Sequence, residues 1–222
     1  MSNYKYLTPQ LLLKAICNAI RAKTGSNDKI VHQDIPDELD SIIIINEEEY
    51  NIEMQRVIDI IEGTSFINDR ITIVKSELFY NCTNLTTINL PKCTSIDYGA
   101  FRVCTSLTTI NLPKCTSIGE YAFYYCTNLT TVNLPKCTSI GDGAFHSCTN
   151  LTTIILSNNQ IVSLMGFLTF NNSGISRGSG YVYVPDNLVD SYKTATNWSN
   201  YANRIKPISE LPNNIKEEYG YD

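Results

Sequence analysis

Between Cys82 and Cys148 the apolar positions of the chain recur on a fixed period of 22 residues. The copies CTNLTTINLPKCTSIDYGAFRV, CTSLTTINLPKCTSIGEYAFYY and CTNLTTVNLPKCTSIGDGAFHS begin at Cys82, Cys104 and Cys126, and a fourth opens at Cys148 and decays. In each copy Leu-x-x-Ile-x-Leu-Pro has the alternation of a strand, and the proline stops it because it cannot donate to a ladder. The second half, Thr-Ser-Ile-x-x-x-Ala-Phe, directs Ile96, Ala100 and Phe101 inward in the first copy. Read down the copies, the apolar letters form columns: Leu85, Leu107, Leu129, Leu151; Ile88, Ile110, Val132, Ile154; Leu90, Leu112, Leu134, Leu156. Two further columns are expected to run Val74, Ile96, Ile118, Ile140, Val162 and Phe79, Phe101, Phe123, Phe145, Phe167. Residues 64–81 and 157–170 are then degenerate terminal units. Self-similarity at this period predicts a solenoid. One unit buries too little apolar surface to offset the ordering of its own backbone, so the units must stack and share their core faces.

Upstream of the repeats the period changes to a helical one. Thr8 is a candidate N-cap with Pro9 at the first helical position. Leu12, Leu13, Ile16, Ala19 and Ile20 follow at spacings of three and four, an amphipathic helix ending near Thr24-Gly25. Ile35-Pro36 precedes a second short helical stretch with Leu39 and Ile42 on one face, and residues 47–62 read as a third helix with Val57, Ile58 and Ile61 behind an acidic front. Such short helices need a partner for their apolar faces. That partner is either the open end of the solenoid and a neighbouring helix, or another copy of the chain or a docking surface in an assembly. Leu12, Leu13, Ile16 and Ile20 are the candidate attachment or oligomerisation residues.

Downstream, NNSGISRGSG after Phe170 is a loop, and Tyr181–Val184 reads as a last strand ended by Pro185. Pro185 lies 28 residues after Ser157 instead of 22, so the loop is expected to be a six-residue insertion in the last coil. A helix with Val189, Tyr192 and Ala195 follows, and Trp198, Tyr201, Ala202 and Ile205 continue at helical spacing. A solenoid needs an atypical end unit to cover its last core face, and this segment suits that task. Residues 209–222 are expected to form a loose polar tail. The organisation expected is therefore a helical attachment or oligomerisation segment at 1–62, a repeat array at 63–184 and a helical cap with its tail at 185–222.

Composition narrows the function. The net charge of −5 and a pI near 5.1 argue against nucleic acid, which needs a clustered basic face. No apolar run reaches the length of a membrane helix, and the N-terminus has no basic region, apolar core and small-residue cleavage site in succession. Seven of the eight cysteines fall on two repeat columns, Cys82, Cys104, Cys126, Cys148 and Cys93, Cys115, Cys137. They are expected to be reduced, buried packing residues, and their 11-residue rhythm is not that of zinc ligands. His32 and His146 belong to no catalytic motif, and no phosphate-binding, metalloprotease or nucleophile-elbow motif occurs. No enzymatic activity, cofactor or metal is expected.

The contrast between constant and variable letters is more informative. Thr87, Asn89, Thr109, Asn111, Thr131 and Asn133 make a regular polar face suited to coil-to-coil hydrogen bonding. The letters around each Phe vary, and they include Tyr98, Arg102, Tyr121, Tyr124, Tyr125 and His146. Tyrosine and arginine are enriched where interfaces have their anchors, so these six are the candidate partner-binding residues; neutral drift of an exposed loop is the competing account.

The repeat, LTTINLPKCTSIGEYAFYYC from Leu107 to Cys126, resembles the BspA-like subclass of leucine-rich repeats over residues 64–184. The resemblance implies an α/β repeat solenoid, here with short N-terminal helices and a strand-helix C-terminal cap, and a role in recognition or adhesion. Members of that family sit mostly on bacterial and protist surfaces and also occur on phage. The segment from Val184 to Ile205 looks like the ending found on such repeat proteins. Ala19-Ile20-Arg21-Ala22-Lys23-Thr24-Gly25, followed by Ile30, Ile35-Pro36 and Ile42, resembles the opening of phage and prophage tail-associated proteins. Together these imply a non-enzymatic structural and recognition protein of a phage or prophage particle, associated with a tail or fibre. It would be made in the host cytoplasm, would bind a host surface protein or glycan through its repeats, and would pair with a virion protein or a second copy through its N-terminus. The alternatives are a bacterial surface adhesin or interaction module outside a virion, and a cytoplasmic scaffold.

Overall fold

The computed structural model describes residues 65–69 and 71–221. The helices expected before residue 63, with Leu12, Leu13, Ile16 and Ile20, lie outside the described residues.

Each coil contributes two short parallel strands. One line holds β1 (Ser65–Ile67), β3 (Thr87–Asn89), β5 (Thr109–Asn111), β7 (Thr131–Asn133), β9 (Thr153–Ile155) and β11 (Tyr181–Val184). The other holds β2 (Ile73–Val74), β4 (Ser95–Ile96), β6 (Ser117–Ile118), β8 (Ser139–Ile140) and β10 (Ser163–Leu164). The second line is one continuous sheet, β2-β4-β6-β8-β10. The first divides into β1-β3-β5 and β7-β9-β11, so no ladder joins β5 to β7. Register follows the repeat: Ile88 pairs with Ile110, and Ile118 with Ile140.

The two-residue side-chain alternation of a strand explains the burial. In Thr87-Ile88-Asn89 only the central residue is buried. The inward letters Leu85, Ile88, Leu90, Cys93, Ile96, Ala100, Phe101 and Cys104 are all buried, and the later copies repeat them in one continuous core. Along its axis runs a stack of rings. Phe79, Phe101, Phe123 and Phe145 follow one another at 4.9, 5.3 and 5.5 Å between centroids, with interplanar angles of 9°, 8° and 2°.

The next ring in that stack is Phe170, 5.8 Å from Phe145 at 7°, and the expected Phe167 is 65% exposed. Likewise Leu164, not Val162, pairs with Ile140. The six extra residues of the last coil are therefore not one loop. Two precede Leu164, which follows Ile140 by 24 where the array uses 22; a third precedes Phe170, 25 after Phe145. The remaining three lie before Val182, which follows Ile154 by 28. Val162, displaced from its column, is still buried, because the cap reaches it.

The cap satisfies the backbone of that irregular coil with side chains. The Trp198 indole N–H donates to the Val162 carbonyl at 2.6 Å, and the Tyr192 hydroxyl accepts the Val162 N–H at 2.9 Å. Asn197 Nδ2 donates to the Leu164 carbonyl at 2.8 Å, and the Tyr201 hydroxyl to that of Phe167 at 2.8 Å. A buried strand edge with unmet polar groups would be costly, and these four residues close it. Tyr192 lies in α1 (Val189–Thr194), and Trp198 and Tyr201 in a 3-10 segment, Trp198–Arg204.

Ile205 does not continue the helical spacing. It opens β12 (Ile205–Pro207), which adds a parallel edge strand beside β11. Nor is the tail loose. Leu211 is buried against Ile155 and Tyr183 in a second small core, joined by Ile215 and Tyr219 of α2 (Asn213–Tyr219) and by Tyr221. The Tyr221 hydroxyl bonds Asn133 Oδ1 at 3.0 Å and Ser157 Oγ at 2.9 Å. Where the outer face of the strand line turns from Asn133 to Ile155 and Tyr183, the tail covers it.

The cysteine columns do more than fill space. Cys104, Cys126 and Cys148 each donate a thiol hydrogen bond to the carbonyl of the Phe one coil back, Phe79, Phe101 and Phe123, at 3.0, 3.2 and 3.0 Å. Cys93, Cys115 and Cys137 donate instead to the Ser carbonyl two residues ahead, at 3.2, 3.3 and 3.3 Å. No disulfide joins any of the seven described cysteines, and burial pushes the Cys137 and Cys148 thiols up to about 12. Of the expected polar ladder one rung is present, Asn111 donating to Asn89 at 2.8 Å, whereas Asn133 is taken by Tyr221; a second, unpredicted column supplies the rest, with Thr94, Thr116 and Thr138 each bonding the carbonyl one coil back at 3.0 Å.

Candidate functional site

The chain turns sharply on both sides of each Phe, and both corners are left-handed. One corner holds Glu77, Gly99, Tyr121 and Gly143, with φ of 56°, 56°, 52° and 61°. The other holds Asn81, Val103, Tyr125 and Ser147, at 60°, 64°, 62° and 61°, and Asn172 at 56°. These are the letters that differ between copies. The backbone constraint recurs from coil to coil, while the corner residues range from exposed Asn81 and Tyr125 to buried Ser147.

The six candidate residues are brought together by the repeat. Tyr80, Arg102, Tyr124 and His146 occupy one position of successive coils and form a column. The Arg102 Cζ lies 5.6 Å from the Tyr80 ring centroid and 5.2 Å from that of Tyr124, and His146 stacks on Tyr124 at 5.0 Å and 22°. Beside the column, Tyr121 meets Tyr124 at 5.8 Å and Tyr98 at 6.0 Å, both edge to face. Tyr125 lies 6.1 Å from Tyr124. Tyr98 and Tyr125 are exposed and the other four are half-buried. A Cβ at Gly143 would run into the Tyr121 ring, so that glycine makes room for the aromatic of the preceding coil.

Desolvation lowers the His146 pKa from the ordinary histidine value, and Asp142 opposes that shift. With the proton on Nδ1, the ring donates to Ser147 Oγ at 2.9 Å and accepts from Asn171 Nδ2 at 3.4 Å. Among the described residues no cluster of three His, Cys, Asp or Glu side chains could hold a metal, and no helix is long and apolar enough to cross a membrane.

Two members of this surface escape a reading by fixed period. Thr169 takes the place of Ala144 in the bond from Phe145, so Phe167 stands where Tyr98, Glu120 and Asp142 stand in earlier coils. Phe167 and Met165 are 65% and 66% exposed. The ledge therefore extends from Tyr98 toward the cap with apolar side chains at its far end. The signal that could have found them is the pair Gly166-Phe167 before Phe170, an aromatic on each side of the turn.

Parallel strands stacked coil on coil, with one apolar column per inward letter, define a leucine-rich-repeat solenoid. The model of the "BspA type leucine rich repeat region (6 copies)" matches residues 72–190, more than half of the 222-residue chain. The chain belongs to the BspA-type leucine-rich repeat family. Among curated proteins none matches. Among solved structures it is similar to a leucine-rich repeat protein from Bacteroides ovatus, at 26% identity over 65% of this chain and 36% of that one, with a TM-score of 0.48. It is also similar to a leucine-rich cell surface protein from Faecalibacterium prausnitzii, at 25% identity over 63% and 37%, with a TM-score of 0.40. A T. pallidum leucine-rich repeat protein matches at 22% identity over 59% and 82%, with a TM-score of 0.38. The chain spans little more than a third of the length of the first two.

Proposed function

We propose that the chain is a non-enzymatic recognition module and that the ledge of Tyr98, Arg102, Tyr121, Tyr124, Tyr125 and His146 is its binding surface. The observation that carries this reading is the convergence of the variable letters. The constant letters of the repeat are spent on the core and on coil-to-coil bonds. The differing ones gather an arginine, aromatic rings and a histidine on one side, the composition of an interface centre. Family membership supports a protein-interaction or surface role. The ligand is a protein or glycan of a host surface.

The setting we propose is a phage or prophage particle, and what supports it is the AIRAKTG opening with its downstream isoleucines and Pro36. A cell-surface adhesin is the alternative setting. Binding of the labelled full chain to host cells tests the ledge: a Tyr98→Ala/Tyr124→Ala/Tyr125→Ala variant that remains folded should bind markedly less, and equal binding rejects the assignment. The neighbouring genes test the setting. Tail or lysis genes beside the coding sequence support the particle, whereas a secretion or sortase-type locus overturns it.

A further inference from the structure

Among the described residues Arg102 is a charge without a counter-ion. Rings cover both faces of its guanidinium, with Tyr80 and Tyr124 at 5.6 and 5.2 Å. Its Nε is buried and has no hydrogen-bond partner, and no ion pair among the described residues includes it. Glu77, one coil back, approaches the same corner but does not pair with it: a Cβ at Gly99 would lie 3.4 Å from Glu77 Cγ and 3.9 Å from Arg102 Cβ.

We propose that Arg102 is the anchor of the ledge and receives one carboxylate, from an Asp or Glu side chain of a protein partner; the proposal rests on the reading of the ledge as an interface. A guanidinium clamped between two rings has already lost the freedom that binding would otherwise take from it. With Nε buried, the donors left to a ligand are the two Nη groups, whose end-on fork matches a planar carboxylate with two parallel hydrogen bonds.

The geometry favours a protein over a sugar. A pyranose stacks on an open ring face, and in this column His146 stacks on Tyr124 while the Arg102 Cζ lies over the rings of Tyr80 and Tyr124. The exposed Phe167 and Met165 at the far end of the ledge are apolar contacts of the kind a protein partner fills. The acidic column beside the ledge limits the partner to a single acid. Glu120 and Asp142 follow one another in the column that begins with Tyr98; Asp97, next to that column, is engaged by Lys75 at 3.9 Å, and Asp142 accepts the Leu168 N–H at 2.9 Å. Glu120 is exposed and repels a second carboxylate. The recognised segment therefore carries one acid flanked by neutral or basic residues.

A random peptide display library selected on the full chain tests this. Enriched peptides should share a single Asp or Glu flanked by neutral or basic residues. Their affinity should fall about tenfold or more on Arg102→Lys and on Arg102→Gln, since a point charge does not replace a fork. Both variants should keep the wild-type thermal midpoint. Enriched peptides without a carboxylate, or peptides that bind Arg102→Gln like wild type, overturn the proposal, as does a selection that yields no acidic binder. A uronate-bearing oligosaccharide that binds through Arg102 where no acidic peptide does overturns it in favour of a glycan. A Tyr98→Ala/Tyr125→Ala variant separates the two levels of inference. If it loses the peptides and Arg102→Gln does not, the ledge stands and the anchor falls; if neither loses them, both fall.

Discussion

Truncating one ring of the phenylalanine stack tests the energetics of the array. Phe123 is fully buried, 5.3 Å from Phe101 and 5.5 Å from Phe145, with its plane within 8° of both. Phe123→Ala removes the transfer free energy of the ring and leaves a cavity whose collapse would require the neighbouring rings to approach. They are held off by the backbone: the Phe101 N–H bonds the Ala122 carbonyl at 2.8 Å, and the Phe123 N–H bonds that of Ala144 at 2.9 Å. The cavity stays largely open, and the expected cost is about 3–5 kcal/mol, toward the upper end. Each ring pair contributes about 0.5–1.5 kcal/mol beyond its buried area, so the loss is shared by two neighbours. Urea denaturation of the full chain, followed by far-UV circular dichroism, measures it. A double-mutant cycle sharpens the test. Phe123→Ala with Phe145→Ala should couple by about 0.5–3 kcal/mol, whereas Phe123→Ala with Phe79→Ala should add within about 0.3–0.5 kcal/mol, because Phe101 stands between them. A single-mutant cost under about 1 kcal/mol, or equal coupling in both pairs, would refute nearest-neighbour stacking as the source of stability.

Three further perturbations follow from the corners and the columns. Val103 is a β-branched residue at φ 64°, where other coils place Asn81 and Asn172; Val103→Asn should stabilise by about 1 kcal/mol, and a lower urea midpoint would contradict the strain argument. His146 has a lowered pKa in the fold, so the unfolded chain binds its proton more readily and stability should fall as pH drops below the ordinary histidine range. His146→Gln should flatten the pH dependence of the melting midpoint on that side of neutrality, and an unchanged slope would count against a lowered histidine pKa in the fold. In a Cys17→Ser chain at mildly alkaline pH, alkylation of the native protein should reach half-buried Cys82 and spare the six buried thiols until urea is added, as mass spectrometry would show. Uniform labelling of native protein would contradict their burial.

The interior of the array was legible because each inward letter repeats in a column, and burial acts alike on every copy. The last coil was not. A step of 22 from Phe145 lands on Phe167, and from Ile140 on Val162, yet the core is occupied by Phe170 and Leu164. Insertions distributed over three corners cannot be placed by period, because only the ring stack and the ladder decide which apolar residue turns inward. The tail failed for a different reason: Leu211, Ile215 and Tyr219 lie at a helical spacing of four but are few in a polar stretch, and their partners Ile155 and Tyr183 are apolar only where the outer face departs from the consensus. At the ledge, the residue types were readable and their mutual stacking was not, since Tyr80, Arg102, Tyr124 and His146 meet only once the coils are in register. The thiol bonds to the Phe carbonyls had no signature beyond the cysteine column itself.

The near-identity of the interior coils makes the length of this molecule a countable quantity. Removing or duplicating residues 104–125 would join Val103 to Cys126, or repeat Cys104 after Tyr125, and each thiol would still find a phenylalanine carbonyl one coil away. The irregular coil and its tyrosine, tryptophan and asparagine plugs remain at the far end in either case. Tandem copies of one coding unit are also where recombination slips. Each slip would advance or withdraw the cap by the spacing of one strand, about 4.8 Å, and lengthen or shorten the aromatic ledge by one place without a new fold having to be found.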